Sequence, residues 1–464
     1  MKVEQIYTGC LAQGAYYIES NGEVAIIDPL REVAPYLDRA KKNQAKIKYI
    51  LETHFHADFV SGHLNLSKET GAPIIYGPYA NPNFETIIAE NGQSFPLGEV
   101  TIIALHTPGH TMESTTYLLR DKNGKDVAIF SGDTLFLGDV GRPDLAQKAE
   151  NVTQDELAGL LFDSLRSKIM PLSDDVIVYP AHGAGSACGK NMMKETVDTL
   201  GNQKKVNYAL RENMTREEFI KEVTDGLAPP PKYFPLNVKM NKSGYDSIDR
   251  VLSRGLNPLS PDSFEAISRE TDALILDVRH QDEFVKGYIS QSVFIGLDGG
   301  FAPWVGTLIG NVNQPLLIIA PEEREEETIT RLSRVGFDQT IGYLDGGFDS
   351  WKKSGKEYDM ITQVNAENLK KLAEEENMMV FDVRKENEFI SGHMETAQNT
   401  PLDCLNDYLG HYPKNRSFYI HCAGGYRSVI AASILKKRGI INLIDIKGGF
   451  KAIKETQIKL TDSI

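Results

Sequence analysis

The segment LETHFHADFVSGH, residues 51–63, places four metal-competent side chains within ten positions: His54, His56, Asp58 and His63. It directly follows the alternating apolar run AKIKYIL, which predicts a short buried strand. Imidazoles and carboxylates packed this closely at the end of a strand are costly to bury unless a cation holds them. A polar loop would give the same short pattern, so the rest of the chain has to decide between the two.

Composition restricts the class of protein. The chain has 464 residues, which predicts two to four domains, and 41% of them are hydrophobic, which is enough for substantial cores. Its apolar runs have the length of strands rather than of membrane spans, and its formal net charge of −14 argues against a surface for nucleic acid or anionic lipid. The N-terminus lacks the features of a secretion signal, and four scattered cysteines form no disulfide framework, so we expect a cytoplasmic protein with a small-molecule substrate.

Residues 1–240 alternate predicted strands with predicted helices, as in a mixed α/β domain. Several of these strands lead into a further metal-competent side chain. The segment SGD contains Asp133, the segment YPAH contains His182, and the loop TPGHT after another strand contains His110. These positions are compatible with one site that is assembled from several strand ends.

The segments THFHAD, TPGHT, SGD and YPAH stand in the order and at the strand ends typical of the metallo-β-lactamase superfamily, which residues 1–240 resemble. The resemblance implies an αββα sandwich with a metal cleft at one edge. Two-zinc hydrolases of that superfamily carry a histidine directly after the aspartate of the His-x-His-x-Asp pattern. Here that position is Phe59, which cannot ligate a metal, so we predict one metal ion rather than two.

A site with two imidazoles, one carboxylate and open positions suits iron(II) and dioxygen. The segment GRPD, which follows the SGD turn, resembles the persulfide dioxygenase branch of the superfamily. This resemblance implies one iron(II) ion per chain, held by His54, His110 and Asp133. It also implies that His56, Asp58 and His182 are groups that orient the ligands and bound water. The two remaining histidines of this region, His63 and His106, are predicted to be structural or surface residues.

Two residues near these motifs have more than one interpretation. The guanidinium of Arg142 could help to place an anionic substrate, as a catalytic residue, or it could form a structural ion pair with Asp144. Cys188, in a small-residue loop after the YPAH segment, could relay a persulfide beside the metal or be an inert packed thiol. The sequence does not separate these alternatives.

An internal repeat follows residue 250. The segment LILDVR (274–279) recurs as MVFDVR (379–384), 105 residues later, and DGGF (345–348) recurs as KGGF (447–450), 102 residues later. Each copy alternates strands with helices, which predicts two small parallel-sheet α/β domains at 255–357 and 360–464. Between the first domain and this repeat, three consecutive prolines predict an extended linker over residues 226–244.

The second copy carries a candidate nucleophile. The strand-like segment FYIH leads into Cys422 and the loop CAGGYRS, so that the thiol faces a helix N-terminus with Arg427 nearby, and both favour the thiolate. The loop resembles the active loop of rhodaneses. It has four residues between cysteine and arginine, as in single-loop sulfurtransferases, whereas cysteine phosphatases have five. The first copy has Ala320 in place of the cysteine, followed by PEEREEE, which predicts an inactive rhodanese-like domain.

Taken together, the motifs resemble those of bacterial multidomain persulfide dioxygenase-sulfurtransferases. The resemblance implies oxidation of a low-molecular-weight persulfide by dioxygen to sulfite, and transfer of persulfide sulfur through Cys422 to sulfite, giving thiosulfate in sulfide detoxification. It also implies a homo-oligomer, a dimer or a tetramer. The alternatives are a zinc-dependent thioester hydrolase of the glyoxalase II type fused to a sulfur-relay module, and a non-enzymatic relay that carries persulfide to a partner protein.

Overall fold

The structure is a computed structural model, and it describes residues 1–145, 151–227, 229–369, 372 and 378–461. These residues form two compact units, one made of 1–249 with 332–336 and the other of 250–331 with 337–464. No helix in the described ranges is both long enough and apolar enough to cross a bilayer.

The first unit contains two six-stranded sheets, and in each the spatial order of the strands follows the chain. The first sheet consists of β1 (Lys2–Thr8), β2 (Gln13–Ser20), β3 (Glu23–Ile27), β4 (Lys46–Leu51), β5 (Ile74–Tyr76) and β6 (Ile87–Ile88). The second consists of β7 (Ser94–Leu97), β8 (Val100–His106), β9 (Thr115–Arg120), β10 (Asp126–Gly132), β11 (Ile177–Pro180) and β12 (Asp198–Thr199).

Alternation along the strands explains why the two sheets stack. In β3, Ala25 and Ile27 join a core shared with Phe130 of the second sheet, whereas Val24 and Ile26 join a core on the opposite face. Side chains in a strand alternate between its faces, so a strand that is apolar at every position is covered on both sides. Helices cover the outer faces, at Ala34–Lys42, His63–Thr70, Gln154–Ser164, Leu200–Val206 and Arg216–Thr224. The predicted αββα sandwich is confirmed.

The prediction of an extended linker over residues 226–244 is wrong in its second half, where the chain forms the helix Phe234–Ser243. Proline lies in its first turn, where the missing N–H has no intrahelical partner in any case. Asn241 of this helix donates to the carbonyls of His56 and Phe59, both at 2.8 Å, and accepts the N–H of Ser61 at 2.9 Å. This helix therefore holds the loop that carries the candidate metal ligands.

The second unit contains two five-stranded parallel sheets with the same strand order. The first has the order β13-β17-β16-β14-β15, and the second β18-β22-β21-β19-β20. The strands are β13 (Pro258–Leu259), β14 (Leu274–Asp277), β15 (Val293–Phe294), β16 (Leu316–Ile319), β17 (Thr340–Leu344), β18 (Gln363–Asn365), β19 (Val380–Asp382), β20 (Ala397–Asn399), β21 (Phe418–His421) and β22 (Leu443–Lys447). The identical order confirms the predicted repeat.

Helices connect the strands of both copies, as parallel pairing requires. In the first copy they are Pro261–Glu270, Gln281–Phe284, Phe301–Ile309, Glu325–Ser333 and Gly347–Lys353. In the described part of the second copy they are Glu386–Ile390, Tyr426–Lys437 and Gly449–Ile453. A further helix, Ile248–Gly255, precedes the first of these sheets.

Candidate metal centre and sulfurtransferase loop

Three predicted metal ligands, His54, His110 and Asp133, meet in the first unit, on the loops that follow β4, β8 and β10. Their ligand atoms all lie within 4.8 Å of one another, and all three residues are buried. The Nε2 atoms of His54 and His110 lie 3.8 and 3.4 Å from the Oδ2 atom of Asp133. Two imidazoles and one carboxylate thus converge on one small volume, as the sequence predicts.

The ring of His54 is oriented by two residues that the sequence analysis did not assign to the site. The hydroxyl of Thr53 donates to Asp28 Oδ2 at 2.8 Å, so its lone pairs face His54 Nδ1 at 3.0 Å. His54 therefore carries its proton on Nδ1 and leaves Nε2 free to ligate a cation. Asp28 is held by the N–H of Thr53 at 2.8 Å and has a φ of 50°. The available sequence signal was an acidic residue followed by proline at the end of a strand.

The ring of His110 is oriented by the backbone of Arg142. His110 Nδ1 donates to the carbonyl oxygen of Arg142 at 2.8 Å, which again leaves Nε2 free. The guanidinium of Arg142 forms a two-pronged ion pair with Asp144, with N–O distances of 2.6 and 2.7 Å, and also donates to the carbonyl of Ala187 at 3.3 Å. For its side chain the geometry favours the structural ion pair over a substrate contact. Arg142 supports the site through its carbonyl.

The three predicted orienting residues, His56, Asp58 and His182, also meet, and their ligand atoms lie within 4.8 Å of one another. His182 Nε2 lies 3.5 Å from Asp58 Oδ1 and 3.6 Å from Asp133 Oδ1. Burial alone would lower the pKa of His182, but the carboxylates of Asp58 and Asp133 raise it well above its ordinary value. Burial, and then the neighbouring imidazole of His56, hold the pKa of His54 well below its ordinary value.

Cys188 lies beside Asp133 and His182. Its sulfur and the ligand atoms of Asp133 and His182 lie within 4.8 Å of one another, and only 1% of the residue is exposed. Burial, followed by the carboxylates of Asp58 and Asp133, raises the pKa of the Cys188 thiol to about 12. In the absence of a cation the thiol is therefore protonated at neutral pH.

A third group of acidic and imidazole side chains lies behind His56 and was not predicted. His56 Nε2 lies 3.1 Å from Asp28 Oδ1 and 3.6 Å from Glu52 Oε2. Glu52 also approaches His63, with 3.3 Å between Oε1 and Nδ1. Burial and the charge of Asp28 raise the pKa of Glu52 well above its ordinary value. His63 is buried against this group, which agrees with a structural role.

His106 is the second histidine that the sequence predicts to be a structural or surface residue. The residue is half-buried, and its Nε2 pairs with the carbonyl of Met112 at 2.8 Å. It belongs to none of the metal-competent groups found among the described residues.

In the second unit, Cys422 lies directly after β21 and before the helix Tyr426–Lys437. The N–H of Gly425, whose φ is 106°, donates to the Cys422 sulfur at 3.1 Å. The repeated Gly-Gly-Phe segment holds the loop from behind, because Phe450 N–H donates to the Cys422 carbonyl at 2.6 Å. A Cβ atom at Gly449 would lie 2.4 Å from that carbonyl, and its φ is 58°. The close approach thus requires glycine at position 449.

The guanidinium of Arg427 is less available to the Cys422 sulfur than the nearness of the two residues in the sequence suggests. Its guanidinium forms two hydrogen bonds to the carboxylate of Glu388, at 2.6 and 2.8 Å. This pairing is the main reason that the pKa of Arg427 is raised, and it holds the pKa of Glu388 below its ordinary value. Glu388 belongs to the repeated motif, but only the folded structure brings it to Arg427.

Comparison with known proteins agrees with the division of the chain into a first domain and two repeated domains. A model described as the metallo-beta-lactamase superfamily matches residues 8–182, and one described as the rhodanese-like domain matches residues 260–354 and 365–456. The chain is 35% identical to the cytoplasmic hydroxyacylglutathione hydrolase of Arabidopsis thaliana over 138 residues, which is 29% of this chain and 53% of that protein. It is 28% identical to the human mitochondrial persulfide dioxygenase ETHE1 over 221 residues, which is 47% of this chain and 78% of that protein.

A solved structure extends the likeness beyond the first unit. A metallo-beta-lactamase from Staphylococcus aureus aligns with a TM-score of 0.65 and 29% identity, over 74% of this chain and 98% of that one. By contrast, the chain spans little more than half the length of the hydrolases that it matches, 53 to 60%. The chain therefore contains a metallo-beta-lactamase-like domain, and two rhodanese-like domains follow it.

Proposed function

We propose that the first unit is a non-haem iron persulfide dioxygenase and that Cys422 is the nucleophile of a thiosulfate-forming sulfurtransferase. In the first reaction a persulfide RSSH, O2 and water give the thiol RSH, sulfite and two protons. In the second, Cys422 takes the terminal sulfur of another persulfide and releases RSH, and sulfite then removes that sulfur as thiosulfate. Atoms and charge balance in both reactions, and sulfite connects them.

The observation that carries this proposal is the arrangement of two imidazoles around one carboxylate oxygen. His54 and His110 each have their Nδ1 proton committed elsewhere and direct Nε2 towards Asp133. Both oxygens of Asp133 are buried without a hydrogen-bond partner among the described residues, which is costly unless a cation satisfies them. These residues fit iron(II), which supplies redox chemistry with dioxygen when it is bound.

The sulfurtransferase step is supported by the cradle around Cys422. The sulfur lies at the positive end of a helix and already accepts an N–H, so the chain favours a negative charge at this atom. That charge is needed both for the thiolate that attacks a persulfide and for the persulfide that is then held on Cys422. Two sites on one chain keep sulfite at a raised local concentration for the second step.

A zinc-dependent thioester hydrolase is the second candidate, because hydroxyacylglutathione hydrolases are among the relatives of the first unit. Phe59 opposes it, since this residue is buried and its ring packs against His56 at 4.3 Å between centroids, where it offers no ligand. A thioester hydrolase would also leave Cys422 without a connected reaction. We therefore place the dioxygenase first.

The test uses the full chain loaded anaerobically with iron(II), given a small-molecule persulfide and then O2. We expect oxygen uptake with thiosulfate as product from the parent chain, and the same oxygen uptake with sulfite as product from Cys422→Ser. Cys404→Ser, which changes an exposed thiol, is the matched control and should behave as the parent. A chain that holds iron but takes up no oxygen would overturn the dioxygenase, and thioester hydrolysis with zinc would then support the second candidate.

A further inference from the structure

The hydroxyl of Tyr426 contacts the first rhodanese-like domain, although the residue belongs to the Cys422 loop of the second. It donates to the carbonyl oxygen of Gly296 at 2.7 Å. The ring centroid lies 6.0 Å from that of Phe294, with an angle of 71° between the two rings. Burial raises the pKa of Tyr426, so the hydroxyl keeps its proton and can donate this bond at neutral pH. One of the four residues between Cys422 and Arg427 is thus bound to the domain without the cysteine.

Two glycines of the first rhodanese-like domain make room for the ring of Tyr426. A Cβ atom at Gly299 would lie 2.2 Å from the Cζ atom of Tyr426, and one at Gly296 would lie 3.1 Å from its Cε2 atom. Gly299 does not have the left-handed φ that favours glycine, so its backbone would accept a side chain. The ring of Tyr426 is therefore the reason that position 299 requires glycine.

The second rhodanese-like domain does not repeat these glycines. The sheet register after the second strand of each domain sets their correspondence at an offset of 105 residues. With that offset, Gly296 and Gly299 correspond to Pro401 and Cys404. The glycines thus belong to the copy that receives a tyrosine from the other copy, and not to the fold that both copies share.

Arg324 stabilises the loop that receives the tyrosine. In the repeat it corresponds to Tyr426, 102 residues earlier in the chain. Its guanidinium pairs with the carboxylate of Asp298 at 2.8 Å, and this aspartate lies between the two glycines in the sequence. The N–H of Leu297 in the same loop donates to the carbonyl of Val278 at 2.9 Å. The domain without a cysteine therefore fixes the surface that Tyr426 contacts.

The helix that follows the Cys422 loop, Tyr426–Lys437, lies against the same edge of the first rhodanese-like domain. β15 is the outermost strand of its sheet, and the N–H of Phe294 in this strand donates to Ser433 Oγ at 3.0 Å. The ammonium group of Lys437 donates to the carbonyl of Gln291 at 3.0 Å. An edge strand leaves backbone groups unpaired unless another element covers them. The first domain thus holds this helix at several points.

We propose that the first rhodanese-like domain holds the Cys422 loop through Tyr426, which makes Tyr426 a positioning residue for sulfur transfer. Tyr426 directly follows Gly425, whose N–H donates to the Cys422 sulfur at 3.1 Å. The anchor therefore fixes the N–H that stabilises negative charge on this sulfur. In the transfer, the Cys422 thiolate bonds to the terminal sulfur of RSSH, the S–S bond of RSSH breaks, and the released RS⁻ takes a proton from solvent. The inference rests on the proposed function for this reaction.

The test uses the full chain under anaerobic conditions with a small-molecule persulfide, and mass spectrometry follows the transfer of one sulfur atom to the peptide that contains Cys422. Gly299→Ala places a methyl group where the ring of Tyr426 lies. We expect the rate constant of transfer to fall about tenfold, because a small displacement of a reacting group is costly. Gly410→Ala is the matched control, because a Cβ atom there meets nothing within 4 Å among the described residues, and it should behave as the parent.

Two variants at position 426 separate the ring from its hydroxyl. Tyr426→Phe keeps the ring and loses the bond to Gly296, so the rate constant should fall about threefold. Tyr426→Ala removes the ring, so Gly299→Ala should have no further effect in that chain. A chain that was only less stable would show a smaller fraction that accepts sulfur at an unchanged rate constant. That result, or effects that multiply in the double variant, would overturn the inference.

Amide hydrogen exchange needs no reaction, so it separates the inference from the proposed function. The peptide that contains Gly425 should exchange faster in Gly299→Ala than in the parent. Unchanged exchange in Gly299→Ala, with a parent that accepts sulfur on Cys422, would overturn the anchor and leave the sulfurtransferase intact. Faster exchange in Gly299→Ala, with a parent that accepts no sulfur on Cys422, would overturn the sulfurtransferase and leave the anchor intact.

Discussion

The two rhodanese-like domains contain the same buried ion pair at the end of their second strand. In the first, Arg279 donates to Asp277 and to a glycine carbonyl at 2.9 Å, and in the second, Arg384 makes the same bonds to Asp382 and to a glycine carbonyl at 2.9 Å. Both aspartates are fully buried. The repeat has therefore kept the interactions that fix the sheet to the loop that follows.

The domains differ at the turn after the fourth strand. Ala320 occupies the position of Cys422, directly after β16 as the cysteine is directly after β21. Glu323, with a φ of 66°, takes the left-handed conformation that Gly425 takes with a φ of 106°. The two turns thus share a left-handed residue at the same position, but only the second contains the thiol that we propose as the nucleophile.

Removal of one partner of the buried ion pair should have the largest effect, and it should be similar in both domains. Asp277→Asn and Asp382→Asn each leave a buried arginine without its countercharge, which costs about 3–5 kcal/mol of the free energy of unfolding. Both tryptophans, Trp304 and Trp351, lie in the first rhodanese-like domain. Their fluorescence during unfolding in urea therefore measures the effect of Asp277→Asn on stability. Asp349→Asn, at an exposed aspartate of the same domain, should change little.

The second rhodanese-like domain has no tryptophan. The unfolding of Asp382→Asn is therefore measured by alkylation of Cys422, which is 1% exposed in the folded chain. We expect alkylation at lower urea concentrations than in the parent chain. If one domain tolerated the substitution and the other did not, the ion pair would be structural in only one of them, and the likeness of the two scaffolds would be superficial.

The next effect distinguishes the two domains by pH. Burial raises the pKa of Asp445, in the second rhodanese-like domain, to about 6. The equivalent residue of the first rhodanese-like domain is Tyr343, because Tyr343 pairs with Ile318 in its sheet as Asp445 pairs with Ile420. The folded state holds the proton of Asp445 more tightly than the unfolded state does. The protonated carboxyl therefore adds to the free energy of unfolding below about pH 4, and this contribution is lost as the pH rises to about 6. The loss amounts to up to about 3 kcal/mol at neutral pH.

Asp445→Asn tests this pH dependence. The amide cannot ionise, so the variant should lose the fall in stability between pH 4 and 7 that the parent shows when Cys422 alkylation is followed in urea. Tryptophan fluorescence reports the first domain in the same samples and should be unchanged by the substitution. A parallel fall in parent and variant would assign the pH dependence to other groups.

The sequence predicts the site residues that lie at strand ends, because this fold brings the ends of parallel and neighbouring strands together. His54, His110 and Asp133 meet for that reason, and Cys422 faces a helix because its strand leads directly into one. Contacts between distant segments could not be predicted in this way. The pairing of Arg427 with Glu388 depends on where two side chains meet after folding, not on a local pattern.

The helix Phe234–Ser243 shows a second limit of the pattern. Consecutive prolines predict an extended chain, but a proline in the first turn of a helix costs little, so the helix begins soon after them. Its residue Asn241, which holds the carbonyl of His56, has no signal in the sequence, because an isolated asparagine is equally common in loops.

A smaller effect concerns the charge that the Cys422 loop would present to sulfite, the acceptor in the proposed reaction. Glu388→Gln removes the countercharge of Arg427, so we expect a KM for sulfite two- to fivefold lower with kcat unchanged, in proportion to the modest strength of a partly exposed ion pair. Initial rates of thiosulfate formation measure both constants. Glu386→Gln, at an exposed neighbour, is the control and should behave as the parent. An unchanged KM in Glu388→Gln would mean that Arg427 does not act on the acceptor.

The smallest effect on thiosulfate formation is expected when a thiol alone is introduced into the first rhodanese-like domain. Ala320→Cys, introduced into a Cys422→Ser chain, should give less than about 1% of the parent rate of thiosulfate formation, because a thiol without favourable charges stays protonated. Glu325 occupies the position of Arg427, and an acidic group there opposes both the thiolate and sulfite. Adding Glu325→Arg should raise the residual rate by about tenfold, because a cation beside a thiol favours the thiolate.

Alkylation rates of the new thiol at several pH values separate the two causes. If Ala320→Cys alone were already active, the acidic loop would not be what silences the first domain, and the loss of the nucleophile would be the whole difference. If the double substitution lowered the pKa of the thiol without raising the rate, charge would govern ionisation only, and the shape of the loop around the acceptor would be what the second domain alone retains.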